Sequence, residues 1–267
     1  MNRNLLIFVA IAELLSTSAL AHDPVFAPGP HVIYKGGVET ALHYEHSKQG
    51  GEKTNELALE LTYGLTGDWA VGVEVPYGWE GSGATDEEGW NNPALFTKYR
   101  FWRHDTLGAQ DSAAVLFKLI PDATNEMVGS GATDAVLGLT YGHESITWYR
   151  WASVRYRYNG ETDANLDRGD KLLLDLAAGI RPWHPEYYKP DTVFLLELNT
   201  EIANRAELNN MSLTNTGGTE MFLSPGIFWT YRNFAIKSGI QIPVFSDLNG
   251  NQDGSDYRAS LTLEYHW

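Results

Sequence analysis

Glu39 and Glu45, then Glu56 and Glu60, lie an even number of residues apart within stretches where apolar residues alternate with polar or small ones, and Glu74 sits in a third such stretch. Lys98, Arg100, Lys118, Arg155 and Arg157 follow the same spacing further on, and Asp175, Glu197, Glu201 and Arg258 complete the set. Successive side chains of a strand point to opposite faces, so this spacing puts every one of these groups on the polar face of a two-faced strand. Such a set has no nucleophile and no ligand spacing. Its chemistry is electrostatic: carboxylates on one wall and cations on another orient polar solutes and screen ions. The competing reading is that they pair with one another and fill the space between the walls.

Two smaller groups could hold metal. His22, Asp23 and His31 lie close in sequence, and if His22 begins the mature chain its α-amine adds a ligand for copper or zinc. Asp247, Asn249, Asn251 and Asp253-Gly254, in the 246–256 loop, echo a calcium loop, but Ser260 stands where that motif needs glutamate. Apart from these two sites, no cofactor is expected. An enzyme is not expected either. There is no nucleophile elbow or zinc-protease motif, Ser260 and His266 share the polar face, and Ser238 has no histidine at its level.

The elements that must position these residues are strands. Tyr257 to Trp267 reads YRASLTLEYHW, with Tyr257, Ala259, Leu261, Leu263, Tyr265 and Trp267 on one face and Arg258, Ser260, Thr262, Glu264 and His266 on the other. About 9–11 residues cross a bilayer at the tilt that barrels use. Leu263, Tyr265 and Trp267 are the apolar ending expected to address the barrel-assembly machinery. The same alternation recurs from Gly37 onward in twelve segments. Leu57, Leu59, Leu61, Tyr63 and Leu65 alternate with Glu56, Ala58, Glu60, Thr62 and Gly64. Trp69, Val71, Val73, Val75, Tyr77 and Trp79 alternate with small residues and Glu74. Large residues cover one face and ionisable groups the other. In an exported chain that argues for grease outside and charge within, the reverse of a soluble barrel.

Composition agrees. Of 267 residues, 34 are acidic and 19 basic, for a formal charge of −15, so the basic footprint that nucleic acid requires is missing. No cysteine is present, which removes disulfides and thiolate sites. Residues 1–21 read as a secretory signal: Arg3, an apolar core from Leu5 to Leu15 interrupted by Glu13, and Ala19-Leu20-Ala21 for cleavage. Nothing later is apolar for 18 residues, so a spanning chain must be a closed barrel. Residues 22–36, with three prolines, cannot form a central strand and are expected at the periplasmic end or in the lumen as a plug. Residues 37–267 then form the barrel.

Connections expected at 80–92, 159–169 and 204–219 are long and polar, while several of those between them are tight turns. Longer external loops and short periplasmic turns produce this rhythm. The stretches at 104–111 and 183–191 depart from it. GSGATD occurs at 81–86 and again at 129–134 and reads as loop punctuation.

Three features together resemble a known group: HDPVFAPGPH leading into Lys35-Gly36-Gly37, GSGATDAVLGLTYG at 129–142, and IPVFSDLNGNQ at 242–252 before an arginine-bearing last strand. They look like the outer-membrane transporters of the phenol meta-pathway (MetA-type) superfamily. That resemblance implies a barrel of about twelve strands passing small molecules, aromatic ones among them. The expectation is therefore an all-β, transmembrane, antiparallel up-and-down barrel in a bacterial outer membrane, touching lipid and lipopolysaccharide and conducting small solutes. The alternative is a non-conducting barrel that handles metal or binds partners through its amino-terminal histidines and acidic loops.

Overall fold

The structure, a computed structural model, describes residues 23–81, 86–122, 130–183 and 189–267. The expected leader and His22 lie outside them, as do residues 82–85, 123–129 and 184–188.

Strict alternation of bulky apolar residues with polar or small ones makes a strand with two unlike faces, which a sheet can bury by stacking on a second sheet or accommodate by closing; here no second sheet stacks on it. It closes instead. Twelve long strands run β1 (Val38–Gln49), β2 (Glu52–Gly64), β3 (Trp69–Gly81), β4 (Ala94–Thr106), β5 (Ala109–Ile120) and β6 (Asp134–Ser145). They continue with β7 (Trp148–Tyr158), β8 (Lys171–Ile180), β9 (Asp191–Ala203), β10 (Gly218–Tyr231), β11 (Phe234–Leu248) and β12 (Ser255–His266). Each pairs antiparallel with the next, and β1 pairs with β12 from Glu39↔His266 to Gln49↔Ser255. The result is a closed twelve-stranded up-and-down barrel with no helix among the described residues. Closure leaves no unpaired edge.

The outer surface is apolar. Leu59, Leu61, Leu95, Leu137, Leu139, Leu176 and Leu196 are all exposed, in a continuous band. Tyr63, Trp69, Tyr99, Trp148, Tyr265 and Trp267 ring one end, with Tyr156, Tyr158 and Trp90 at the other. In water so large a patch would aggregate, whereas against lipid it is the favourable face. The wall is that of a barrel that spans a bilayer.

The carboxyl end and the short turns after β2, β4, β6 and β10 lie at one end, the short-turn end; the long loops and the two-residue β1–β2 turn lie at the other, and Asp23, the first described residue, lies inside the barrel. Several boundaries differ from the sequence expectation. β4 and β5 run through 104–111 and leave only Leu107-Gly108 between them. A bulge at Phe101 causes this, because it breaks the alternation and makes the strand look finished. β1 and β2 likewise consume most of the 47–53 turn, leaving Gly50-Gly51, with Gly50 at φ +57°. The 80–92 loop is in part a strand, Asp86–Trp90, which folds back on β3 from Tyr77↔Trp90 to Gly81↔Asp86. Leu166–Asp167, Glu207–Leu208 and Met211–Ser212 form a small separate sheet that ties together the loops after β7 and β9.

Candidate functional site

The site is the lumen, and its lower half is filled by the chain's own amino-terminal segment. Pro24, Pro28 and Pro30 keep this stretch out of the wall, so its backbone groups need other partners. The segment is pinned at the short-turn end, where Gly36 N donates to Gly64 O at 2.8 Å and the Tyr34 hydroxyl donates to the Trp267 carbonyl. From there it runs into the barrel. At its tip the Glu197 carboxylate, only 1% exposed, accepts from three successive backbone amides. Val25 N lies 2.7 Å from Oε1, Ala27 N 3.1 Å from Oε2, and Phe26 N 3.3 Å from both. Lys98 donates to Asp23 at 2.8 Å, Thr140 Oγ1 to the Pro28 carbonyl at 2.8 Å, and His31 Nε2 lies 2.5 Å from Glu144 Oε1. Burial works to raise the Asp23 carboxyl, but Lys98, Lys237 and His31 outweigh it and hold it below its ordinary value.

The wall is shaped to seat this segment. A Cβ on Gly226 would stand 2.9 Å from Val25 Cγ2, and one on Gly239 would stand 2.9 Å from the Phe26 ring. Beside them Tyr149, Trp151, Ala177, Val193, Leu195, Phe228 and Ala235 form an inward-facing apolar cluster against which Val25 packs. The expected all-polar interior does not hold here. The segment supplies an apolar partner, so the inner face can be greasy without facing water.

Beyond Phe26, toward the long loops, the lumen opens into a cavity of 540 Å³ that contains most of the charged residues read from the sequence. Glu45, Glu56, Glu74, Lys118, Arg155, Arg157, Asp175, Glu201 and Arg258 all line it. A second cavity of 420 Å³ runs around the segment and is lined by Asp23, Glu39, Glu60 and Lys98. Arg100 lies in neither: it clamps the β2–β3 turn, through Asp68 at 2.7 Å and the Gly67 carbonyl at 2.7 Å.

An uninterrupted acidic wall facing a basic one is not what the strands build, because most cations find acids close by. Lys118 bonds Glu74 at 2.9 Å, Arg155 bonds Asp175 at 2.8 Å, and Arg258 bonds Glu201. Arg157 and Arg168 share Asp134, at 3.0 and 2.5 Å. Glu60 faces His43 at 3.4 Å and Glu39 faces His266 at 3.3 Å. Pairing offsets the desolvation that each charge would otherwise suffer in a narrow bore. Among the described residues that line the larger charged cavity, two carboxylates have no cationic partner. Glu45 and Glu56 sit directly opposite each other across β1 and β2. Glu56 accepts from Asn91 Nδ2 at 3.0 Å, whereas Glu45 has no hydrogen bond or ion pair among the described residues.

Asp23 and His31 bond to separate partners, Lys98 and Glu144, and His22 lies outside the described residues. Asn249, in the calcium-like loop, donates to the Thr216 carbonyl at 3.0 Å and accepts from Arg205 at 3.2 Å. Among the described residues no three acidic or histidine side chains gather with metal-site spacing.

An outer-membrane channel from Pseudomonas putida F1 superposes with a TM-score of 0.70 at 13% identity, over 92% of this chain and 100% of that one. The NanC porin gives 0.51 at 10% identity, over 84% and 98%. The β domain of the Bordetella autotransporter BrkA gives 0.50 at 11%, over 86% and 99%. The chain shares its fold with solved outer-membrane barrels. No protein-family model and no curated protein matches it.

Sequence reasoning missed three parts of the site. Lys237 and Glu264 form a buried pair at 2.6 Å, hidden among the polar positions of β11 and β12. Asp134, last residue of the second GSGATD, is a structural hub rather than punctuation: besides its two arginines it accepts from Gly160 N at 3.1 Å. The apolar cluster did leave a signal. Val193-Phe194-Leu195-Leu196 is apolar on both faces, as a strand covered on both sides should be.

Proposed function

We propose that the protein is a bacterial outer-membrane channel for small polar solutes, with residues 23–37 as its internal stopper. The observation that carries this is the charged, solvent-facing 540 Å³ cavity, enclosed by a wall that is greasy outside and ending on the docked Phe26. Most short turns and the ends of the wall at Val38 and His266 would face the periplasm, long loops the exterior, with lipid and lipopolysaccharide around the wall. The Leu263, Tyr265 and Trp267 ending would address the barrel-assembly machinery. The likeness to solved channels supports the barrel, and the resemblance to MetA-type transporters adds small, including aromatic, molecules as cargo.

The stopper itself favours a second reading, a barrel that does not conduct and serves as a binding or metal-handling surface. Single-channel recording in planar bilayers separates the two. Conduction that rises when residues 23–34 are deleted supports the channel. Silence from both the full and the shortened chain overturns it and leaves the second reading, which copper titration of a His22→Ala/His31→Ala variant then tests.

A further inference from the structure

We infer that the outer cavity is a binding site for extended zwitterions, molecules with an ammonium at one end and a carboxylate at the other. The inference rests on the channel reading for its biological meaning but not for its test. It comes from which hydrogen-bonding capacity the walls leave unused. On the β1–β2 side, Glu45 has all its acceptor positions free and Glu56 has given one to Asn91. On the β7 side, each guanidinium carries five N–H donors. Arg155 uses one, on Asp175, and its Nε is buried, which leaves three N–H groups on its Nη atoms. Arg157 uses Nε on Asn159 and Nη2 on Asp134.

β1–β2 and β7 lie on opposite sides of a twelve-stranded ring, so free acceptors face free donors across the cavity. Phe26 and Leu173, the latter beside Arg155 on the neighbouring strand, add apolar surface to the same cavity. A ligand of one charge would satisfy one wall and leave the other as it is. A zwitterion satisfies both.

Geometry sets its length. Strand spacing and tilt give twelve strands a backbone diameter of about 24 Å. Glutamate and arginine side chains reaching inward, with a hydrogen bond at each end, leave roughly 7 to 8 Å between the ligand's charged groups. That fits an ω-amino acid with a five- or six-carbon chain and is too long for an α-amino acid, whose charges lie together.

The test is calorimetric titration of the full chain in detergent with 6-aminohexanoate, hexanoate, hexylamine and alanine. The expected result is binding of 6-aminohexanoate at least tenfold tighter than of the other three. Glu45→Gln/Glu56→Gln should lose tenfold or more while still running as a compact, heat-modifiable band. Equal binding of hexylamine would overturn the inference in favour of a plain cation site, and no heat from any ligand would overturn it outright. A chain that binds 6-aminohexanoate but never conducts refutes the channel and keeps the site. A conducting chain without binding does the opposite.

Discussion

Glu197→Gln isolates the latch. The carboxylate holds three amides of the stopper, the closest at 2.7 and 3.1 Å, from a position 1% exposed. Hydrogen bonds to a charged group contribute about 1.5–3 kcal/mol each. Glutamine keeps one acceptor oxygen but turns an N–H donor toward the remaining amides, so one charge-assisted bond is lost and the others weaken. The expected loss is about 2–3 kcal/mol, which is roughly 30- to 150-fold in the ratio of docked to undocked segment. Volume is conserved and the wall's ladder between β9 and β10 is untouched, so the barrel should still form. In planar bilayers the variant should show more frequent or longer high-conductance events than the parent, approaching a chain lacking residues 23–34. If the truncated chain is open while Glu197→Gln behaves like the parent, the latch argument is wrong.

Four further outcomes follow from the same geometry. Gly226→Leu and Gly239→Val should displace Val25 and Phe26 and mimic the truncation, read as conductance with an unchanged heat-modifiable band. Lys237→Met strands Glu264 in the lumen and should cost about 3–5 kcal/mol, read as a lower temperature for the gel shift between folded and unfolded bands. Leu176→Arg, at a position 58% exposed to lipid, should cost about 2–4 kcal/mol if it lies near the bilayer midplane, read by denaturant titration in lipid vesicles. Because the Asp23 carboxyl is held low, its contribution to docking is complete above the ordinary aspartate value of about 3.9 and is lost only as pH falls below it. The Asp23 share of any acid-induced opening should therefore begin only below about pH 4, and Asp23→Asn should remove that share.

Much of the wall was legible because period-two alternation carries both secondary structure and facing. Leu57 to Tyr63 against Glu56 to Thr62 is enough to orient β2. Ends were less legible where a bulge resets the alternation, as at Phe101, or where a loop folds back as a strand, as at Asp86–Trp90. The charged residues could be placed on the inner face, but their pairing could not be read. It depends on which strands are neighbours and on axial level, so Arg155 meets Asp175 two strands' worth of sequence away. The stopper's prolines said only what it could not be. Its docking partner, Glu197, looked like one more lumen carboxylate because nothing local to β9 marks a residue that receives amides 170 positions upstream.

The stopper is continuous with β1, and β1 is also one lip of the seam that shuts the cylinder against β12. Tyr34 and Val38 grip Trp267, the final residue, so stopper and seam are stitched at the same place. A segment tethered so near the joint has little room to thread a finished tube. It is best laid inside while the sheet is still an open trough, before the last strand zips to the first. Barrels that close too early would then be well formed yet hollow, and a slow-maturing, leaky fraction should accompany any change that delays the segment's arrival.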